Sequence, residues 1–342
     1  MGEAAGRPGL DLAAVARWLD DERPGLRDGD LTAALIEGGR SNLTYTLDDD
    51  THHWVLRRPP MGHVLATAHD MLRELRVVGG LAGGPVPVPA PVAGCTDPGV
   101  IGAPFAVMQR VAGRVVRTRS DLLAVELVAR EPLAHLLIDT LAALHGVDAD
   151  AVGLGDFGRP EGFVGRQVRR WGAQLAASRS REVTGIDDLH AALSAAVPTA
   201  QRNAIVHGDY RLDNVLLGPD HHITAVLDWE MAALGDPLTD LGLLLVYWGG
   251  TDRAGLGSVA DAPGSVQGYP GGDALAQRYA AATGLDLTAL PWYVAFGYFK
   301  LAVVLEGIHY RFTQGQTLGA GFDIIGDVVP GLVAAGHTAL RT

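Results

Sequence analysis

One stretch constrains this chain more than any other: AIVHGDYRLDNVLLGPDHHITAVLDWE, residues 204–230. An apolar run leads into His207-Gly208-Asp209, and Asn214 follows Asp209 by five positions. VLL, the turn-forming GPDHH and ITAVL then read as a hairpin that delivers Asp228. Alone, His-Gly-Asp would be a turn and Asn214 a strand cap, because Asp and Asn bond readily to their own backbone. In this order across a hairpin, the side chains of Asn214 and Asp228 are expected at the same end of a cleft.

The rest of the chain divides into two styles. Leu10 to Leu19 reads as a short amphipathic helix, and Leu31 to Arg58 as strands rich in Thr, Tyr, Val and Trp with an acidic turn. Val64 to Leu81 carries apolar residues at helical spacing and stops at Gly79-Gly80. GGPVPVPAPVAG is an extended connector, and PFAVMQRV a buried strand followed by a Gly-containing hinge. Beyond Ser120 the pattern is mainly helical: 120–147, 160–178, 187–197, 236–249, 273–283, 288–316 and 320–337. The segment from Thr251 to Gly272, rich in Gly, Ser and Pro, reads as a surface loop. This predicts an α+β chain with a small β-rich N-terminal lobe, 1–111, and a larger helical lobe, 112–342.

Composition narrows the function classes. A hydrophobic fraction of 48% supports a sizeable core. The single cysteine, Cys95, excludes an internal disulfide and a cysteine zinc site. A net charge of -12 argues against nonspecific nucleic-acid binding. The N-terminus lacks a signal-peptide core, and the apolar runs are too short to span a bilayer. A cytoplasmic protein without nucleic-acid or membrane partners is expected. Lys300 is the only lysine, so a site that ordinarily uses lysine must use arginine or Lys300 here.

The spacing H-x-D-x-x-x-x-N, followed across a hairpin by an aspartate, resembles the kinase catalytic loop. HGDYRLDN and LDWEMAALGDPLTDLG are similar to patterns of the aminoglycoside phosphotransferase/choline kinase family. The nearest likeness is to the subgroup of kinase-like domains related to those fused to some acyl-CoA dehydrogenases. It covers roughly residues 36–311 and implies a two-lobed protein-kinase-like fold. It also implies ATP or another nucleoside triphosphate, Mg²⁺, and a small-molecule hydroxyl acceptor. Asp209 then matches the base that orients and deprotonates the acceptor hydroxyl. Asn214 and Asp228 match the metal ligands, and Arg211 steadies Asp209 or contacts the transferring phosphate.

The N-terminal lobe supplies further matches. Gly38-Gly39-Arg40-Ser41-Asn42 lies between two expected strands, where Ser41 and Asn42 would border the phosphates. In WVLRR, Arg57 falls at the family's strand cation and Glu74 at its helical glutamate. Arg58 is the alternative, on the opposite side of the strand. A plain surface pair for Arg57 and Glu74 would contribute about 0–1 kcal/mol. Adenine is expected against hinge backbone from Gln109 to Val111.

Other residues have blander readings. His207 reads as a brace for the loop and His145 as a helix-terminal cap or packing partner. Trp229 and Glu230 could face substrate or core. Asp236 and Asp240 read as helix caps. Lys300 and Arg311 read as snorkelling surface cations. The acceptor suggested by the resemblance is a hydroxyacyl thioester or a related metabolite. The alternatives are an aminoglycoside-type antibiotic and a nucleotide-binding pseudokinase without chemistry.

Overall fold

A computed structural model describes residues 8–36, 42–61, 70–250, 261–315 and 322–342. The chain forms two compact units: residues up to Gly113 with Thr224–Ala232, and Arg114–Ile223 with Ala233–Thr342.

In the first unit, helix α1 (Leu12–Glu22) starts on Asp11, whose side chain accepts the Ala14 N–H. Strands β1 (Thr32–Leu35), β2 (Leu43–Asp48), β3 (His53–Arg58), β4 (Pro91–Cys95) and β5 (Phe105–Gln109) form an antiparallel sheet in the order β1-β2-β3-β5-β4. Strand periodicity sorts the side chains onto two faces. Tyr45, Leu47, Trp54, Leu56, Phe105 and Val107 pack with Val15 and Leu19 of α1. Ala106, Met108 and Val55 pack on the other face with Met71 and Leu75 of helix α2 (Met71–Leu81).

Helix α2 begins at Met71 because Asp70 caps it, accepting the amides of Leu72 and Arg73. The expected earlier start, 64–69, lies outside the described residues. Gly79 and Gly80 do not stop the helix, which runs on to Leu81 with Val77, Val78 and Leu81 buried. Gly94 on β4 lets α2 approach closely: a Cβ there would lie 2.5 Å from Leu72. The returning segment Thr224–Ala232 is tied to this unit by several bonds. Val226 N–H donates to Pro87 O at 2.8 Å, and Arg73 reaches Ala232 O at 3.1 Å.

The second unit is mainly helical. Helices α3 (Arg119–Ala124) and α4 (Leu127–His145) replace the single expected 120–147 helix. The break follows Ala124, where Val125 and Glu126 adopt extended or irregular backbone. Then come α5 (Phe163–Ser178), α6 (Ile186–Ala195), α7 (Leu238–Leu245), α8 (Gly272–Thr283), α9 (Leu290–Thr313) and α10 (Ile325–Ala339). Helix α9 is the core element: Tyr293, Phe299, Ala302 and Val303 are buried around it. Strands β6 (Ala204–Val206) and β9 (Ala233–Gly235) pair antiparallel, and β9 was not legible in the sequence. Strands β7 (Val215–Leu217) and β8 (Ile223–Val226) flank a turn in which Gly218 N–H donates to His222 O at 2.9 Å.

Of the surface loop expected from Thr251 to Gly272, residues 251–260 lie outside the described residues, and 261–272 are not loose. Ala262, Val266 and Tyr269 are buried, and Gln267 O accepts from Arg130 at 2.6 Å. Trp248 Nε1 donates to Pro270 O at 2.8 Å. The composition signalled mobility, but an aromatic and two aliphatic anchors override it.

Candidate active site

In the second unit, the buried strand β6 carries the chain to His207. Beyond it, side chains divide into anchors and presented groups. His207, Tyr210, Leu212 and Asn214 are buried. Tyr210 OH donates to Leu137 O at 2.8 Å. Asp209, Arg211 and Asp213 are left about one-quarter exposed. A 3₁₀ turn over Leu212–Asn214 returns Asn214 toward the loop. Its side-chain amide then donates to Asp209 O at 2.8 Å and to the Asp209 carboxylate at 3.1 Å. This uses the N–H₂ end and leaves the amide oxygen as a hard acceptor.

Arg211 stands 3.6 Å from Asp209 and 3.6 Å from Asp213, with its guanidinium 4.6 Å over the Tyr247 ring. Burial pushes the Asp213 carboxyl up, and Arg211 opposes it. His207 does brace the loop: its Nδ1 accepts the Asp209 N–H at 3.2 Å.

Asp240 is not a helix cap. It is fully buried and accepts the amides of His207 at 2.6 Å and Gly208 at 2.8 Å. His145 Nε2 lies 3.2 Å from Asp240, and its Nδ1 is 2.7 Å from Tyr279 OH. Burial pushes Asp240 up, but His145 and the loop amides outweigh it and hold its pKa below the usual value. Asp236 accepts the Leu238 amide at 3.0 Å, as a cap does, and also the Tyr293 hydroxyl at 2.5 Å. Lys300 is not a snorkelling surface cation. It donates to Gly208 O, and its Nζ lies 5.4 Å from the Trp171 ring centroid. Sequence reasoning did not single out Trp171, Tyr247 or Tyr279. Their contacts join distant positions that no local pattern links.

In the first unit, β3 parity sends the two arginines to opposite faces. Arg57 shares its face with Val55 and meets Glu74 of α2. Its second nitrogen donates to Asp228 at 3.2 Å. Burial opposes the charge of Arg57, but Glu74 and Asp228 outweigh it and hold its pKa above the ordinary value. Arg58 faces the other way and donates to the carbonyls of Gly9, Pro59 and Ile101. It is a buried structural cation.

Asp228 has φ 66°, one of two non-glycine residues with positive φ among the described residues. Asp tolerates this left-handed region better than most residues. Trp229 is a core residue, with Nε1 donating to Val226 O at 3.0 Å. Glu230 accepts from the Asn42 side chain at 3.0 Å. Ser41 lies outside the described residues. The Gln109 and Arg110 amides are donated to Ala90 and His53 carbonyls, and Val111 follows the end of β5. Among the described residues, no group of three or more His, Cys, Asp or Glu could hold a metal ion. The carboxylate of Asp228 and the amide oxygen of Asn214 are nevertheless the hard donors that Mg²⁺ takes alongside water and phosphate.

Residues 32–290 match the family model described as the phosphotransferase enzyme family. The chain belongs to that family. It is a small-molecule kinase of the α+β, kinase-like fold found in the aminoglycoside phosphotransferases. The chain is 34% identical over 317 residues to acyl-CoA dehydrogenase family member 11 of Gallus gallus, covering 90% of this chain and 40% of that protein. It thus spans about two fifths of the length of that curated relative. A crystal structure from Ralstonia eutropha JMP134, provisionally assigned as an aminoglycoside phosphotransferase, superposes with TM-score 0.83 at 32% identity. It covers 97% of this chain and 98% of that one. Aminoglycoside phosphotransferase APH(4)-Ia, in a ternary complex with AMP-PNP and hygromycin B, shares the fold at TM-score 0.59 and 17% identity. That match covers 96% of this chain and 100% of that one. Among the described residues, no helix is long and apolar enough to cross a membrane.

Proposed function

We propose that this chain moves the γ-phosphate of ATP to a hydroxyl group of a hydroxyacyl thioester. The observation that carries the reading is the pair of hydrogen bonds that the Asn214 amide donates to Asp209. It holds a quarter-exposed carboxylate at a fixed point of a loop that is otherwise anchored in the core. Such a carboxylate can accept a hydrogen bond from an alcohol, align its oxygen with the γ-phosphate and take its proton. Arg211 lies beside that carboxylate and can neutralise developing charge on the phosphoryl group.

The other roles follow from chemistry and placement. Arg57 would bind phosphate oxygens while Glu74 orients its guanidinium. Asn42 and Ser41 would border the phosphates, and backbone from Gln109 to Val111 would meet adenine. Asn214 and Asp228 would hold Mg²⁺, which would supply positive charge to offset that of the phosphates. The AMP-PNP complex of APH(4)-Ia supports ATP as the donor.

Charge around Asp209 favours one class of acceptor. Asp213 already faces Arg211, and Asp240 is engaged by His145 and two amides. Arg211 and Lys300 add positive charge near Asp209. A polycationic drug needs carboxylates that are open to it, whereas this surround suits an anionic acceptor. The acyl-CoA dehydrogenase relative supports a thioester in particular.

The test is ADP release with MgATP and hydroxyacyl-coenzyme A thioesters that differ in hydroxyl position, beside hygromycin B. Thioester-dependent turnover supports the proposal. Turnover with hygromycin B alone selects the antibiotic reading. MgATP binding without turnover on any acceptor of the panel selects the pseudokinase.

A further inference from the structure

Lys300 is the only lysine of the chain, and so far only its charge has been given a part. It sits on α9 between the buried Phe299 and Leu301, itself half-buried. Its ammonium donates to the carbonyl of Gly208, the residue before Asp209. The Trp171 ring of α5 lies under the same nitrogen, 5.4 Å from its centroid.

Gly208 has φ +84°, a conformation that side chains other than glycine rarely adopt. Its two peptide groups are held from opposite ends. Asp240 of α7 accepts its N–H, and Lys300 of α9 donates to its C=O. The peptide that Lys300 holds also carries the Asp209 N–H, which His207 Nδ1 accepts. The two helices that supply these side chains are in close contact. A Cβ on Gly242 of α7 would lie 2.6 Å from the Tyr293 carbonyl of α9, so only glycine permits the approach.

The charged groups facing Lys300 are Asp209, Asp240, Arg170 and Arg211. Burial pushes its pKa down, Asp209 and Asp240 pull it up, and the two arginines oppose them. An apolar side chain of equal length could fill the space. It could neither hold the Gly208 carbonyl nor supply the charge.

We propose that Lys300 is a positioning residue for phosphotransfer: its ammonium fixes the Gly208–Asp209 peptide and thereby holds the Asp209 carboxylate in line. This rests on the reading of Asp209 as the base. A misplacement of about 1 Å can lower a rate roughly 10²-fold. Lys300→Met should therefore lower kcat by about 10- to 100-fold and leave the KM for ATP within about twofold. Lys300→Arg should recover part of the loss, because it keeps the charge and a donor.

The experiment combines kinetics with one spectroscopic readout. Kinetics use MgATP and whichever hydroxyacyl-coenzyme A thioester the wild type turns over, with Asp209→Asn as the control. Because the chain has one lysine, ε-¹⁵N-lysine labelling gives a single side-chain signal. That signal should shift between wild type and Asp209→Asn. A shift, together with a kcat loss that arginine partly restores, supports the proposal. A melting temperature that drops while kcat per folded enzyme stays at wild type overturns it. So does an Arg variant as impaired as the Met variant, or a lysine signal indifferent to Asp209→Asn. Should the Met variant not fold, the Arg variant and the labelled wild-type pair decide. If Asp209→Asn keeps full activity, the base reading fails. If Asp209→Asn is inactive and Lys300→Met is normal, only the role of Lys300 fails.

Discussion

Asp240 accepts the backbone N–H of His207 at 2.6 Å, from full burial on α7. Its other oxygen takes the Gly208 N–H at 2.8 Å, and His145 closes the group. One carboxylate therefore fixes the two successive amides that precede the Asp209 peptide. Asp240→Ala would strand two buried donors and deprive His145 of its partner. The expected loss is about 3 kcal/mol of folding stability, read as a lower urea midpoint. Asp240→Asn should lose less, because its oxygen still serves one amide. An Ala variant with the wild-type midpoint would refute this account of the loop.

Arg57 and Arg58 should separate cleanly. Arg57 meets Glu74 and Asp228, while Arg58 serves three backbone carbonyls. Arg57→Ala should lower kcat/KM for ATP, with Arg57→Lys retaining more activity because the charge persists. Arg58→Ala should leave the ATP kinetics of the folded enzyme intact and cost about 1–3 kcal/mol of stability. Paired melting curves and ATP titrations of the two variants check both halves. The reverse pattern would mean that β3 presents its other face to the nucleotide.

Much of this was legible in the sequence because the patterns that carry it are local. HGDYRLDN encodes its own loop, with apolar or bonded anchors alternating with presented polar groups. Strand parity in HWVLRR left a choice of two arginines, and the contact of Arg57 with Glu74 of α2 joins positions that no local pattern links. What stayed hidden is long-range. Asp240 reads as a cap because it lies near the start of α7, yet its amide partners are 32 and 33 residues upstream and His145 is 95 upstream. Lys300 reads as a surface cation because it interrupts an apolar helix, yet its partner is Gly208. The Gly/Pro-rich segment before α8 reads as loose, yet Val266 and Tyr269 are buried. In each case tertiary burial overrode a correct local propensity.

Asp209→Asn keeps the shape of the base and removes its charge. A positioned general base contributes about 10² to 10⁴ in rate, so turnover should fall by that range. ATP affinity should survive, seen as an undiminished rise in melting temperature with MgATP. Wild-type turnover in this variant would remove the mechanism proposed here.

Asn214 and Asp228 should differ in how they fail. Asp228→Ala removes a carboxylate, so Mg²⁺-dependent turnover should vanish although the nucleotide still binds weakly. Asn214→Ala should raise the Mg²⁺ requirement. It should also keep a residual kcat defect at saturating Mg²⁺, because Asp209 loses two of its bonds. Full rescue of Asn214→Ala by Mg²⁺ would show that those bonds do not align the base.

Asp49 gives a pH prediction independent of function. Its carboxylate is shielded in the turn between β2 and β3, and it accepts the amides of Asp28 at 2.8 Å and Thr51 at 2.9 Å. Burial pushes its pKa up, but these amides and His52 prevail and lower it to about 2 from 3.8. A folded pKa below the unfolded one means that the stabilisation is fully present above the unfolded value. It is lost as pH falls from about 4 toward the folded value. The shift corresponds to about 2 kcal/mol at neutral pH. Asp49→Asn should therefore be less stable than wild type at pH 7 by roughly that amount, and the gap should narrow by pH 3. Urea midpoints at both pH values measure it. A gap that is constant across this range would mean that the turn is held by shape and not by the charge of Asp49.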